Sequence, residues 1–377
     1  MRIGFDGKRA VQNFTGLGNY SRYVADILCH FYPENDYVLY APKKRENKRM
    51  NLLTGQYRQL TLAYPATFFW KKLSSLWRVW GITSQLEKEG IELFHGLSNE
   101  LPLNIHKSRI KSIVTIHDLI FLRYPQYYQS IDRKIYTYKF RKACENADKI
   151  IAISECTKRD IIRYFNILDD KIEVVYQGCD VSFTHPVTEE KKEEVRKKYQ
   201  LPDHYILNVG SIEERKNILA AVQALPMLPQ HIHIVIVGRR TGYTEKVEQF
   251  IKDNGLGERV HIISNVPFND LPAFYQSAEI FVYPSRFEGF GIPIIEALYS
   301  GIPVVAATGS CLEEAGGPDS IYVNPDDITG LADAFKQIYS NSDKRKNMVE
   351  KGREFAKRFS EKQQSEEIIN IYKKLIR

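Results

Sequence analysis

Ile280-Phe281-Val282-Tyr283-Pro284-Ser285-Arg286-Phe287-Glu288-Gly289-Phe290-Gly291-Ile292-Pro293-Ile294-Ile295-Glu296-Ala297 is the stretch that decides the fold of this chain. It opens on a short β-rich apolar run and passes through a glycine-rich turn. It then enters a helical pattern that continues to Tyr299. A strand that feeds a tight turn and then a helix is half of a parallel βαβ unit. The turn carries one acid before its glycines and a second acid inside the helix. Free N–H groups at a helix N-terminus point at phosphate or sugar oxygens, and each carboxylate accepts hydroxyl donors. The stretch therefore reads as a grip for an anion and a polyol.

The same alternation runs outward in both directions. Strands are expected at Arg2–Asp6, Tyr37–Ala41, Gln59–Ala63, Ile91–His95, Ser112–Ile116, Lys149–Ile153 and Ile172–Val175. A second series follows at Tyr205–Val209, Ile232–Val237, Val260–Ile262, Ile280–Tyr283, Pro303–Ala306 and Ser320–Val323. Helical patterns lie between most of them, so each series predicts an α/β, doubly wound parallel sheet with right-handed crossovers. Between the series, a charged run at Glu189–Lys198 sits among His185-Pro186 and Leu201-Pro202, as an interdomain connector would. The boundaries expected are an N-terminal domain over 1–182, a C-terminal domain over 183–359 and a last amphipathic helix over 360–377.

A 377-residue chain is too long for one ordinary core, and 43% hydrophobic with 26% charged residues is a globular composition. No apolar run approaches the roughly 18 residues of a membrane span. The N-terminus reads as a first strand rather than a signal peptide. Five dispersed cysteines without a Cys-x-x-Cys pair suggest reduced thiols in a cytoplasmic protein and no zinc site. The net charge of +7 is uneven, because residues 1–182 carry 28 Lys and Arg against 19 Asp and Glu. No nucleic-acid motif accompanies that excess. It suits an anionic membrane surface or a lipid-phosphate acceptor, the plain alternative being a solvated basic surface.

Gly210-Ser211-Ile212-Glu213-Glu214-Arg215-Lys216-Asn217 follows the first strand of the second series. A strand, a polar turn and a basic pair entering a helix suit a diphosphate at the carboxyl edge of a parallel sheet. Lys216 supplies a point charge and Arg215 a bidentate fork, though Arg215 also fits a solvated surface pair. Thr115-Ile116-His117-Asp118 ends another parallel strand. His117 is the candidate to position a sugar and stabilise charge near the reacting bond, with Asp118 to fix its tautomer. A structural His–Asp pair is the alternative. His95 either lines an acceptor site or is structural. Thr67–Trp80 mixes three tryptophans with Lys71, Lys72 and Arg78, and suits a membrane interface, an aromatic acceptor shelf or plain core.

These segments together resemble the retaining GT-B glycosyltransferases of family 4, and the likeness covers nearly the whole chain. It rests on Pro-Ser, then Glu288 to Pro293, then Glu296-Ala297 and Gly301-Ile302-Pro303-Val304-Val305, and on the Gly210-to-Asn217 segment. The resemblance implies two Rossmann-like domains facing a central cleft, with the last helix crossing back to the first domain. It implies that Glu288 faces the donor sugar, that Glu296 holds the ribose hydroxyls, and that the backbone of Phe290, Gly291 and Ile292 meets sugar and diphosphate. Val266 either faces the base or is core. Some relatives carry an arginine directly after the glycine where this chain has Ser211, which leaves the role of Arg215 open. Thr15-Gly16-Leu17-Gly18-Asn19-Tyr20 stands too far from its strand for a dinucleotide fingerprint. Gly16 is expected instead in a glycine loop that caps the donor diphosphate.

There is no Asp-x-Asp pair to carry a metal-bound sugar nucleotide and no Cys or Ser nucleophile beside a base. A transfer without metal or cofactor is expected, with Arg215, Lys216 and helix N-termini neutralising the leaving diphosphate. With no obvious carboxylate nucleophile, front-face attack is favoured. The likeness is greatest to bacterial mannosyltransferases of surface-polysaccharide assembly, so the expected donor is GDP-mannose, with a UDP-sugar second. The expected acceptor is a glycan or lipid-linked saccharide, with peripheral contact at the inner face of an anionic membrane. Two rivals stand beside this reading. One is a non-catalytic sugar-nucleotide or glycan-binding protein on the same fold. The other is a nicotinamide dehydrogenase.

Overall fold

The protein is described by a computed structural model covering residues 1–376. The chain forms two compact units, Met1–Tyr176 with Glu361–Arg377, and Gln177–Ser360.

The first unit is built on seven strands: β1 (Arg2–Asp6), β2 (Asp36–Tyr40), β3 (Leu60–Ala63), β4 (Leu93–Gly96), β5 (Lys111–Ile116), β6 (Lys149–Ala152) and β7 (Ile172–Val174). They lie in the order β3-β2-β1-β4-β5-β6-β7, and every pair is parallel. Helices cover such a sheet on both faces, so its inner strands are rich in buried apolar residues. Ile113, Val114 and Ile116 on β5 and Ile150, Ile151 and Ala152 on β6 are all fully buried. The last helix, Glu361–Ile376, packs Ile368, Ile369, Ile371 and Tyr372 into the same core as Ile3, Val24 and Leu39.

The second unit has six strands: β8 (Tyr205–Val209), β9 (His233–Val237), β10 (Val260–Ile263), β11 (Ile280–Tyr283), β12 (Val304–Ala307) and β13 (Ile321–Val323). Their order is β10-β9-β8-β11-β12-β13, again parallel throughout. The expected strands are all present, shifted at their ends by no more than the fraying of such boundaries. In each sheet the order reverses beside the first strand, between β1 and β4 and between β8 and β11. A doubly wound sheet opens a crevice outside the carboxyl ends of its strands at that point. The loops after β8 and β11 are the basic segment and the glycine-rich segment singled out in the sequence.

All five cysteines are buried. No helix among the described residues is long and apolar enough to cross a membrane.

Candidate active site

The loop after β8 and the loop after β11 meet through charge. Glu288 stands on the β11 loop with Oε2 2.9 Å from Arg215 Nη1 and Oε1 3.3 Å from Lys216 Nζ. The Tyr283 hydroxyl donates to Glu288 Oε1 at 3.1 Å and accepts from Lys216 Nζ at 3.0 Å. Ser285 Oγ donates to the same carboxylate oxygen at 2.9 Å. The Lys216 ammonium also lies over the Tyr283 ring, 5.3 Å from its centroid.

Burial alone raises a carboxyl pKa, yet Lys216 and Arg215 outweigh it and bring Glu288 down to about 2. Burial likewise opposes charge on Arg215 and Lys216, and Glu288 overcomes it to raise both. Burial first and then Glu288 push Tyr283 up to about 12, so it stays a phenol and keeps its donor. The outcome is two fixed cations against one fixed carboxylate at the edge of the sheet, an arrangement that favours a further anion. Glu213, 3.8 Å from Arg215, is more exposed and balances that excess weakly.

The turn itself is held by side chains. Arg215 Nη1 donates to the Phe287 carbonyl, and Asn217 Nδ2 donates to the Pro284 and Pro325 carbonyls. Cys311 Sγ donates to the carbonyls of Glu288 and Phe290 at 3.0 and 2.9 Å. Because the Phe290 carbonyl is turned toward Cys311, the Gly291 N–H of that planar peptide points the opposite way. Gly291 has φ 129°, and a Cβ there would press on Leu312 and Ala315 at 3.2 and 3.3 Å. The helix Ile292–Ser300 starts immediately afterwards.

Glu296 lies on that helix, half-buried, and Oε2 accepts from the Tyr275 hydroxyl at 2.6 Å. Burial raises this carboxyl to about 7, the Tyr275 bond working against the rise and Asp180 adding to it. The two acids thus differ sharply: Glu288 is held ionised, while Glu296 shares its proton with solvent near neutrality. Val266 is half-buried in the loop after β10, next to Asn265, whose φ is 59°.

In the first unit, the segment around Gly16 is a helix start rather than a glycine loop. The helix Gly16–Phe31 begins there, and its first internal bond runs from Asn19 N to the Thr15 carbonyl. The N–H groups of Gly16, Leu17 and Gly18 precede that bond. Gly16 is open, whereas a Cβ on Gly18 would lie 1.9 Å from the Asn13 carbonyl oxygen. Arg22 pins the approach by donating to the carbonyls of Ala10 and Asn13. The segment is therefore a rigid helix N-terminus, of the kind that receives phosphate.

His117 directly follows β5. Its Nε2 is 2.9 Å from the Leu97 carbonyl, an acceptor that requires the proton on Nε2. Its ring meets Tyr20 edge-on at 4.6 Å. Burial lowers it to about 4, so at neutral pH it acts as a neutral dipole and not as a cation. Leu97 fixes the tautomer, and Asp118 instead accepts from the Ile120 N–H. His95 is wholly buried between the Tyr372 hydroxyl at 2.6 Å and Thr115 Oγ1 at 2.8 Å, which makes it structural and not an acceptor ligand. In the Thr67–Trp80 stretch, Trp77 is fully buried and Arg78 pairs with Asp6 and Glu100 inside the unit. Phe68, Phe69 and Trp80 remain exposed.

Three contributors were not foreseen. Tyr283 is the last residue of a strand that ends at the crevice, a position that flags it. Ser285 lies three residues before Glu288 in the quoted stretch. Tyr275 comes from the helix Leu271–Ser277, and nothing local in the sequence marks it.

The family model for glycosyl transferases group 1 matches residues 191–355, and that for Glycosyltransferase Family 4 matches residues 21–183. The O-antigen chain mannosyltransferase B of Escherichia coli is 30% identical over 289 residues, 75% of this chain and 74% of that protein. The O-antigen chain mannosyltransferase RfbU of Salmonella typhimurium is 29% identical over 225 residues, 60% of each chain. Among solved structures, sucrose-phosphate synthase of Thermosynechococcus elongatus superposes with a TM-score of 0.78 at 20% identity, over 100% of this chain and 99% of that one. WaaG, a glycosyltransferase involved in lipopolysaccharide biosynthesis, gives 0.71 at 16% identity, over 98% and 99%.

Proposed function

The chain belongs to glycosyltransferase family 4, with the GT-B fold, and from that membership we propose that it transfers mannose from GDP-mannose to a glycan or lipid-linked saccharide in surface-polysaccharide synthesis. The observation that carries this reading is the convergence of Arg215, Lys216 and Glu288 at the point where the second sheet reverses its order. The mannose assignment is supported by the relatives named above.

In this reading the donor diphosphate takes Arg215 and Lys216, and the Gly291 N–H adds a backbone donor. These groups neutralise charge on the leaving phosphate as the glycosidic bond breaks, which is the work a metal ion does elsewhere. Glu288, relieved of part of its ion pairing, accepts from the sugar hydroxyls. It is a poor general base or acid, because it stays ionised down to about pH 2. Glu296 accepts from the ribose hydroxyls. Within the first unit, the open helix N-terminus at Gly16 suits a phosphate and the neutral His117 suits a sugar hydroxyl. With Glu288 held by two cations and two hydroxyls, a covalent glycosyl-enzyme is disfavoured. The leaving phosphate oxygen is the base that takes the acceptor proton, with retention of the anomeric configuration. The first unit binds the acceptor.

The test is incorporation of labelled sugar into a lipid extract by the purified protein in EDTA, followed by NMR of the anomeric proton. Incorporation from GDP-mannose with retention supports the proposal. Incorporation only from a UDP-sugar overturns the donor, and a requirement for a divalent ion overturns metal independence. Donor binding with no transfer to any extract favours the binding-protein reading.

A further inference from the structure

We propose that the two carboxylate oxygens of Glu288 have separate tasks, set by Tyr283 and Ser285 as positioning residues: their hydroxyls anchor Oε1, and Oε2 is left to receive a hydroxyl of the donor sugar. The proposal deepens the transferase reading and rests on it for the diphosphate that draws Arg215 and Lys216 away.

The contacts of the carboxylate are unequal. Oε1 accepts from Ser285 Oγ at 2.9 Å and from the Tyr283 hydroxyl at 3.1 Å, and Lys216 Nζ stands 3.3 Å away. Oε2 has Arg215 Nη1 at 2.9 Å. A carboxylate oxygen offers two lone pairs. The two hydroxyls fill those of Oε1. Lys216 is the most distant of its three partners and also donates to the Tyr283 oxygen at 3.0 Å. A diphosphate that takes the two cations therefore strips Oε2 of its ion pair and leaves Oε1 with both hydroxyls. The lone pairs vacated on Oε2 are then open to a sugar hydroxyl.

The anchors are rigid. Tyr283 is the last residue of β11 and pairs with Ala306 on β12. Its ring is buried and stacks on Phe281 with centroids 5.9 Å apart. Its hydroxyl has one proton. Lys216 donates to that oxygen, so the proton goes to Glu288, and burial followed by the carboxylate keeps it in place. Ser285 is wholly buried, and the Pro284 carbonyl before it accepts from Asn217 Nδ2 at 3.3 Å. Cys311 Sγ donates to the carbonyl of Glu288 itself at 3.0 Å, which fixes the backbone under the side chain. Both hydroxyls stand on the same strand and turn as Glu288, so they stay with it when the loop after β8 turns to a phosphate.

Beside a bound diphosphate, Glu288 is a buried carboxylate near a second anion, with its two cations shared. A carboxylate so placed and without hydrogen bonds takes up a proton or turns away. Protonation would cost it an acceptor position. Two charge-assisted O–H donors oppose this and bring no competing charge to the site. The charged and polar groups set against Glu288 are Arg215 and Lys216 from the loop after β8, Tyr283 and Ser285 from β11 and its turn, and Cys311 from the loop after β12. Glu213 acts on it through Arg215.

The experiment is calorimetric titration of the full chain with GDP and with GDP-mannose, or with UDP and UDP-glucose if wild type prefers that pair. Wild type, Tyr283→Phe and Ser285→Ala are compared, and a cooperative melt shows that each variant is folded. Phenylalanine keeps the ring contact with Phe281. The quantity read is the affinity for the sugar nucleotide divided by that for the nucleotide, in which a general disturbance of the diphosphate site cancels. Each variant is expected to lower that ratio about tenfold. A crystal structure of the sugar-nucleotide complex is expected to show Tyr283 and Ser285 still on Oε1 and a sugar hydroxyl on Oε2. Ratios equal to wild type in both variants overturn the proposal, and so does a complex in which the sugar takes Oε1 in place of the two hydroxyls. Either failure leaves the transferase reading standing. A diphosphate bound away from Arg215 and Lys216, or no binding of either pair, overturns that reading and the proposal with it.

Discussion

Lys216 Nζ lies 3.3 Å from Glu288 Oε1, although the two side chains stand on loops that follow different strands of the second sheet. Arg215 closes on the other carboxylate oxygen at 2.9 Å. This carboxylate holds the two cations in place, and in the proposed reading a diphosphate competes with it for them.

That pairing has a pH signature. The folded value of Glu288 is about 2 against an ordinary 4.5, so the folded state binds its proton less tightly than the unfolded chain does. The stability it contributes is present above pH 4.5 and is lost as pH falls through about 2. Its size is about 3 kcal/mol, from ~1.4 kcal/mol per pKa unit. Thermal melts of Glu288→Gln are expected to lie below wild type at pH 7 and to converge with it toward pH 2. Parallel melting curves across that window contradict the pairing.

Glu296 behaves in the opposite sense. Its folded value of about 7 lies above the ordinary 4.5, so the stability it contributes is full below pH 4.5 and is lost as pH rises through about 7. The ionised form is the better acceptor for two ribose hydroxyls. GDP affinity is therefore expected to rise between pH 6 and 8 with release of a proton, and Glu296→Gln to flatten that rise. Calorimetry in buffers of different ionisation enthalpy reads the proton directly, and a pH-independent GDP affinity in wild type contradicts this role.

His117 is expected to stay neutral, protonated on Nε2, from pH 8 down to about 5. Histidine ¹⁵N shifts report the tautomer; an imidazolium at pH 7 contradicts the effect of burial, and a neutral ring protonated on Nδ1 contradicts the Leu97 contact. The rate profile near pH 6.5 accordingly carries no limb from this residue. His117→Ala is expected to lower turnover tenfold or more, on the scale of a lost positioning contact.

Tyr372→Phe leaves buried His95 without a partner on Nδ1. The expected cost is about 1–3 kcal/mol, read as a lowered denaturation midpoint with GDP affinity unchanged. A change in GDP affinity without loss of stability contradicts a purely structural role.

The sheets were legible because parallel strands buried on both faces are near-continuous apolar runs, as Ile280–Tyr283 and Ile234–Val237 are. The β11 turn was legible because its glycines and acids are local. What escaped were contacts made across the fold. Nothing near Glu288 shows that its cationic partners come from the loop after β8, or near Glu296 that Tyr275 reaches it. The glycines at 16 and 18 look alike in sequence, yet only Gly18 is dictated by packing, against the Asn13 carbonyl. Arg78 reads as surface charge among tryptophans, and only the fold brings Asp6 and Glu100 to it.

The most direct test of the account is calorimetric titration of GDP and guanosine into wild type and Lys216→Met. The account expects GDP to bind the variant roughly ten- to a hundredfold more weakly, about 1.4–2.7 kcal/mol, with guanosine binding unchanged. Equal GDP affinity in the two proteins would place the diphosphate away from Lys216 and Glu288 and contradict the central claim.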